Sequence, residues 1–348
     1  MNNKKLDIYN KQTYDYNLPE ELIAQEPAKP RDNSRLLIYN RKLDTVKHKR
    51  FRNIINHLNE GDVLVINSTK VLPARLFARK EKTEGKVEIL LLKRVELDLW
   101  EILIKPAKKV KEGTELVFSE QLRGVIQKKK DEGKALINFQ YQGVFENIIK
   151  KIGHMPLPHY IKKELKNNSD YQTIYAKKSG SSAAPTAGLH FTEELMDKLR
   201  KKGINILEVT LHVGLGTFRP VKENNIKNHN MHSEFYSISK DVADKINAAK
   251  KRNKNIVAVG TTVIRTLESA TNSNGEVIAG ENNTDIFIYP GYKFKTVDKL
   301  ITNFHLPQST LIMLVSAMIG IDKTMELYNL AVKQRYRFFS FGDAMFIE

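Results

Sequence analysis

At 348 residues the chain has room for two domains, or for one large α/β unit with an insertion, and 41% hydrophobic with 28% charged residues excludes a disordered or fibrous protein. Lys and Arg number 57 against 40 Asp and Glu, a formal charge of +17 that favours a polyanion, nucleic acid or anionic membrane, unless it reflects a genome-wide Lys bias. The absence of Cys removes disulfides, thiolate zinc sites, Fe–S clusters and cysteine nucleophiles, leaving His, carboxylates, Arg, hydroxyls and backbone to carry any chemistry.

The N-terminal residues carry no signal-peptide stretch and Leu311–Ile319 is too short to span a bilayer, so a soluble cytoplasmic protein is expected. Residues 35–66 read as strand, turn, strand, helix, strand, with apolar runs at Leu36–Tyr39 and Val63–Ile66. Between 74 and 151 the texture changes to closely spaced short strands at 75–79, 86–95, 100–104, 115–118, 124–128 and 135–139, separated by Glu-Gly turns. That spacing predicts a small all-β barrel or sandwich, followed by a helix after Gly143. Further along, Thr192 N-caps a helix closed by Gly203, 204–212 is a strand, and Ser239 precedes a helix over 241–251. A strand at 256–260, a helix at 262–270, a strand at 285–289, a helix from Pro307 through Met318 and a last one over 324–334 complete the pattern. The alternation predicts an α/β main domain, 1–73 and 152–348, interrupted by an inserted β-barrel domain at 74–151.

Five stretches place Gly, Pro, His and hydroxyl residues at element ends, where binding loops collect. Ser181 to Phe191, with Thr186, Gly188 and His190, runs into a helix start and suits an anion or a flexible corner. Leu211 to Pro220 ends a strand in Gly214-Leu215-Gly216-Thr217, but Arg219 stands where a dinucleotide fingerprint needs its third glycine, so that fingerprint is rejected; His212 is an acid/base or a hydrogen-bonding group. His229, His232 and Glu234 lack a metal-binding signature, and no metal is expected; His232 and Glu234 share a strand face and form either a base-positioning pair or an ordinary polar contact. Gly260-Thr261-Thr262 opens a helix on which Arg265 and Glu268 form an i, i+3 ion pair, or Arg265 grips a substrate carboxylate. Asn303 and His305 alternate before Pro307, to read a nucleobase edge or to cap a helix. Arg335-Tyr336-Arg337 mixes cations with an aromatic, fit to grip phosphates and stack bases, though Phe338 and Phe339 fit a core equally well.

Together these stretches resemble one family, the S-adenosylmethionine:tRNA ribosyltransferase-isomerases of queuosine biosynthesis. The match is collinear, through Tyr16-Asn17-Leu18-Pro19, Arg31-Asp32-Asn33-Ser34-Arg35-Leu36, Val71-Leu72-Pro73-Ala74-Arg75-Leu76, Gly153-His154-Met155-Pro156-Leu157-Pro158, Ala183 to Phe191, His212 to Phe218, Gly260-Thr261-Thr262, Thr302 to Pro307 and Phe341-Gly342-Asp343-Ala344. Lys70, His159, Asp170, Ser181 and Ser182 depart from the family's usual residues. The resemblance implies an α/β domain interrupted by a β-barrel, no metal or redox cofactor, and S-adenosylmethionine consumed as a ribosyl donor. The partner it implies is a tRNA with aminomethyl-deazaguanine at the wobble position, and the products are epoxyqueuosine-tRNA, adenine and methionine. A monomer is expected. Two rivals are a non-catalytic RNA-binding protein and an S-adenosylmethionine-dependent tRNA methyltransferase. The candidate catalytic residues are His212, His190, Glu234 and Glu268, with substrate held by Thr186, Gly188, Gly214, Gly216, Thr217, Thr261, Thr262, Arg265, Asn303 and His305. His212 is the expected proton-transfer group, Arg265 the clamp for the methionine carboxylate, and the three histidines at 190, 212 and 305 are expected to meet in one cleft with Arg265 and Glu268. Arg335, Tyr336 and Arg337 are the expected tRNA contacts.

Overall fold

The computed structural model describes residues 6–165, 167–214 and 221–348. In chain order, β1 (Arg35–Asn40) and β2 (Thr45–Arg50) form a hairpin, a 3-10 turn at Phe51–His57 leads to β3 (Val63–Asn67), and β4 (Thr69–Val71) precedes six strands. These are β5 (Arg75–Lys80), β6 (Lys86–Arg94), β7 (Leu99–Lys105), β8 (Glu115–Ser119), β9 (Leu122–Lys129) and β10 (Lys134–Tyr141). Then come α1 (Phe145–Ile152), β11 (Lys178–Ser181), a 3-10 turn at Thr186–His190, α2 (Glu193–Lys201), β12 (Asn205–Leu211) and β13 (Glu234–Ile238). The rest alternates: α3 (Lys240–Lys251), β14 (Ile256–Val259), α4 (Thr261–Ala270), β15 (Gly280–Thr284), β16 (Lys299–Asn303), α5 (Thr310–Ile319), α6 (Ile321–Lys333) and β17 (Ala344–Ile347). Two compact units result, one of Met1–Thr69, Pro158–Lys178 and Ala184–Glu348, the other of Lys70–Leu157 and Ser179–Ala183. The fold is thus an α/β unit interrupted by a small β-barrel.

The smaller unit is a closed antiparallel barrel, ordered β10-β7-β6-β5-β8-β9, with β9 pairing back onto β10. Alternate residues such as Leu76, Ile89, Ile102, Leu116, Ile126 and Ile137 are buried, so side chains fill the interior of a barrel this small. Gly124 stands where a Cβ would meet Ile137 Cδ1 at 2.7 Å, the space already being taken. Phe145 of α1 packs on Trp100 and Phe139 with ring centres 5.4 and 5.1 Å apart.

The larger unit is built on a nine-stranded sheet, β15-β13-β12-β3-β14-β16-β17-β1-β2. Its centre, β12-β3-β14-β16, is parallel, and every residue of β3 and β14 is buried, as expected for strands covered on both faces. One face packs α2 and the Phe51–His57 turn through Leu36, Ile66, Val259, Ile301, Phe191 and Leu195. Thr192 and Ser239 cap α2 and α3 as expected, their hydroxyls accepting from Leu195 N and Val242 N. The strand expected at 285–289 is instead β15, at Gly280–Thr284. Its polar residues pair antiparallel with β13 at the sheet edge, where backbone pairing needs no apolar alternation. The helix expected from Pro307 starts at Thr310, because Ser309 caps it by accepting from Ile312 N. Among the described residues no helix is long and apolar enough to cross a membrane.

Candidate active site

In a sheet with parallel strands, ligands collect beyond the strands' carboxyl ends. Here β14 ends in Gly260, at φ +94°, which turns the chain directly into α4, and β16 ends in Asn303 ahead of the loop into α5. Between them, with the Thr186–His190 turn as a third wall, lies a cleft of about 600 Å³, part of it open to solvent. Ala184, Pro185, Ala187, Phe304, Leu306, Leu311 and Phe339 make it largely apolar, and Thr186, Thr261, Thr262, Asn303, His305, Tyr160 and Ser340 supply the polar groups. No side chain caps the first turn of α4, and the Thr262 hydroxyl is buried without a hydrogen-bond partner. The start of α4 therefore offers backbone N–H groups, the positive end of a helix dipole and a free hydroxyl to one ligand group.

The opposite wall is locked by a chain of hydrogen bonds. Asn303 Nδ2 donates to the carbonyl of Phe339 at 3.0 Å, which fixes the orientation of the amide because a carbonyl only accepts. The same amide lies 3.2 Å from His190 Nε2, which must then be the accepting nitrogen, so the ring proton sits on Nδ1 and is donated to Ser34 Oγ at 2.8 Å. Asn303 Oδ1 in turn accepts from Thr186 Oγ1 at 3.1 Å. Burial, helped by Arg337 and Arg31, pushes the pKa of His190 down to about 3, and burial alone does the same to His305, whose Nε2 lies 2.8 Å from Thr302 Oγ1. Both rings are neutral at working pH. His190 positions Asn303 and does not line the cleft.

The expected cleft of three histidines with Arg265 and Glu268 is assembled only in part: His305, Thr186, Thr261, Thr262 and Asn303 line it, and the others stand elsewhere. Arg265 is buried in an ion pair with Glu234, and its Nε and Nη2 donate to the carbonyls of Ile286 and Thr284, so it staples α4 to β13 and the segment around β15 and does not line the cleft. Glu234 also accepts from Gly214 N at 2.7 Å, which makes the pair an anchor for the loop after β12 and not a base. Glu268 does not pair with Arg265. It accepts from the backbone N–H groups of Lys295, Thr296 and Val297 and from Tyr292 Oη, a full complement that leaves it no catalytic lone pair. Gly188 is buried where a Cβ would strike Tyr175 Oη, a packing requirement. Gly216 and Thr217 lie outside the described residues. His212, at the end of β12, is half-buried, stacks on Phe235 and shares a hydrogen bond of 2.8 Å with Thr69 Oγ1; burial and Lys178 lower its pKa. β12 and β14 both pair in parallel with β3 between them, so His212, just past the end of β12, stands at the same end of the sheet as the cleft, two strands over from β14. Tyr336 is fully buried, its hydroxyl 2.6 Å from His48 Nδ1 and its ring beneath Arg35, so it cannot stack on a base. Arg337 is half-buried against Asp343, while Arg335 is exposed.

A family model described as queuosine biosynthesis protein matches residues 11–347. The chain belongs to the queuosine biosynthesis protein family. It is 56% identical over 336 residues to the S-adenosylmethionine:tRNA ribosyltransferase-isomerase of Clostridium kluyveri, and equally to that of Clostridioides difficile, covering 96% of this chain and 98% of each relative. A crystal structure of S-adenosylmethionine tRNA ribosyltransferase from Thermotoga maritima superposes with a TM-score of 0.56 at 44% identity, over 97% of this chain and all of that one.

This member of the queuosine biosynthesis protein family also carries cleft residues that sequence reasoning passed over. Tyr160 bonds Ser340 Oγ at 2.8 Å and packs on Phe339 with ring centres 4.8 Å apart. Phe339 holds φ +68°, a rare conformation for a bulky residue, and its carbonyl is the acceptor that orients Asn303. The signal available was the position of Tyr160 and Phe339 beside two of the collinear stretches, Gly153–Pro158 and Phe341–Ala344.

Proposed function

We infer that this protein is an enzyme that transfers the ribosyl moiety of S-adenosylmethionine to a tRNA base and isomerises it to the epoxide, releasing adenine and methionine. The observation that carries the reading is identity of 56% along 96% of the chain with proteins named for that activity. The acceptor is the aminomethyl-deazaguanine at the wobble position. The sulfonium acidifies the adjacent C5′–H, so a base must take that proton; adenine must leave protonated; the exocyclic amine, unprotonated, must attack C1′; and methionine departs as the epoxide closes.

One of these requirements, the base at C5′, and the holding of the substrate have residues suited to them. His212, with its pKa lowered, is neutral at working pH, and in the tautomer that donates Nδ1–H to Thr69 Oγ1 its Nε2 carries a lone pair, so it is the group assigned to the C5′ proton. The start of α4, with Thr262, takes the methionine carboxylate in place of Arg265. Asn303, held rigid by His190, and His305 face the ribose or base edge. S-Adenosylmethionine is a consumed substrate, and no resident metal or redox cofactor enters the scheme.

The test is product analysis with tRNA bearing the aminomethyl base. Adenine and methionine released in equal amounts, only when that tRNA is present, is the expected result. Transfer of labelled methyl to the tRNA without adenine would replace this reading by a methyltransferase, and tRNA binding with no product by a non-catalytic binder.

A further inference from the structure

We propose that the cationic edge strand β2, with Arg52 beyond it, is the surface that holds the phosphates of the tRNA anticodon arm while its wobble base occupies the cleft. The proposal rests on the tRNA-modifying reading above and adds the docking face.

Within Lys47-His48-Lys49-Arg50-Phe51-Arg52 every residue but Phe51 is exposed, and no carboxylate occurs between Thr45 and Asn59. None of Lys47, Lys49, Arg50 and Arg52 makes an ion pair within 4 Å among the described residues. Several exposed cations elsewhere are matched by a neighbouring carboxylate: Lys240 and Lys245 pair with Asp244 and Asp241, Lys198 with Glu194, Lys130 with Glu101. A run of exposed cations with no carboxylate in ion-pair contact is the electrostatic footprint of a polyphosphate.

Register places this stripe with respect to the cleft. Asn303 of β16 is opposite Ala344 of β17, Ala344 is opposite Leu36 of β1, and Leu36 is opposite Lys49 of β2. Residues opposite one another project on the same face, so Lys49, and two residues back Lys47, stand on the face of the sheet that Asn303 occupies. Three strand spacings put Lys49 about 14 Å from Asn303. A stacked strand advances roughly 3.4 Å along its axis per nucleotide, so this corresponds to about four nucleotides of axial advance from a base in the cleft. β2 also runs parallel to β16, and its carboxyl end, continuing into Arg52, lies at the end of the sheet where the cleft opens. The arginines are held in place: Arg50 Nη1 donates to the carbonyl of Asn33 at 2.9 Å and Arg52 Nη2 to Asn33 Oδ1 at 2.7 Å. Because Tyr336 lies beneath Arg35 and His48, the residues it was expected to contribute are replaced at the surface by the strand packed over it.

Edge strands also carry Lys merely to block pairing with another chain. The two roles separate experimentally. The triple variant Lys47→Glu/Lys49→Glu/Arg52→Glu is compared with a control of equal charge change on the barrel unit, Lys82→Glu/Lys111→Glu/Lys128→Glu, with folding checked by thermal melting. Binding of fluorescein-labelled tRNA is followed by anisotropy at several salt concentrations, alongside the KM for modified tRNA and the KM for S-adenosylmethionine. The expected result is a loss of tRNA affinity of at least ~10-fold and a raised tRNA KM in the β2 variant, with the S-adenosylmethionine KM unchanged and the control near wild type. Should the triple variant melt early, Lys47→Gln/Lys49→Gln should lower the slope of log affinity against log salt by about 2. Equal losses in both variants would mark a net-charge effect and overturn the proposal. Unchanged tRNA binding, with or without self-association of the β2 variant, or binding of wild type to anionic vesicles but not to tRNA, would also overturn it. If wild type binds tRNA through β2 yet releases no adenine, the functional reading fails and the surface stands.

Discussion

Two ends of one helix differ in what their polar groups are left to do. In the first turn of α4, Thr262 is buried with an unpartnered hydroxyl and the helix start is uncapped, at residues that line the cleft. One and two turns on, Arg265 and Glu268 carry the charges that ordinarily attract a catalytic reading, yet Arg265 is engaged by Glu234 and backbone carbonyls and Glu268 by Tyr292 and the 295–297 amides, away from the cleft. Function follows unspent hydrogen-bonding capacity and not formal charge. A saturated buried ion is a structural joint.

The most severe test strikes the saturated end. Glu234→Gln or Arg265→Met leaves an unpaired buried partner and should destabilise the fold by about 3–5 kcal/mol, read from urea or thermal unfolding. In the surviving folded fraction the S-adenosylmethionine KM should be kept; a folded Arg265→Met protein of normal stability that had lost donor affinity would restore Arg265 as the clamp.

A second test uses pH. His190 and His305 have folded pKa values near 3 against 6.5 unfolded, so between those values the unfolded chain binds more protons and stability rises with pH. The contribution is complete above about pH 6.5 and is lost as pH falls towards 3. Going from pH 7 to 5 should cost ~2 kcal/mol for each histidine, and His190→Gln should flatten the melting profile by its share. A melting temperature independent of pH over this range would show that these rings are not held neutral.

At the unsaturated end the effect is on binding. Thr262→Val removes the free hydroxyl but no existing hydrogen bond, so melting should stay within about 1 kcal/mol of wild type while donor affinity drops by roughly 10-fold, the size of a hydrogen bond to a charged group. Equal donor affinity in Thr262→Val would remove α4 from the binding site. The smallest change expected is for Tyr336→Phe, which loses the bond to His48 and about 1 kcal/mol of stability, with tRNA affinity unchanged.

The same distinction explains what the sequence could disclose. The barrel strands were legible because each alternates apolar and polar residues between Glu-Gly turns, and α2 and α3 because Thr192 and Ser239 announce their starts. β15 was not, since Gly280-Glu281-Asn282-Asn283-Thr284 is chosen by its partner β13 and has no pattern of its own. Thr186, Thr261, Thr262, Asn303 and His305 were recognisable as small and polar groups at strand ends, a local property. That Arg265 and Glu268 are held by partners 19 to 31 residues away, and that Tyr160 and Phe339 wall one cleft with a backbone turned to φ +68°, depends on tertiary packing, which residue types do not encode.

The place of β17 bears on how such a chain is made. β1 and β2 join the nine-stranded sheet only through β17, whose residues 344–347 leave a ribosome long after residues 35–50. Until then the hairpin has no edge to dock on, its apolar Leu36 and Ile38 lack the covering Phe346, and the β16 edge is open as well. The sheet, and with it the row from Asn303 to Lys49, can be completed only once residues 344–347 have been made. Nascent chains of this protein should therefore depend on chaperone protection of two open strand edges until β17 has emerged.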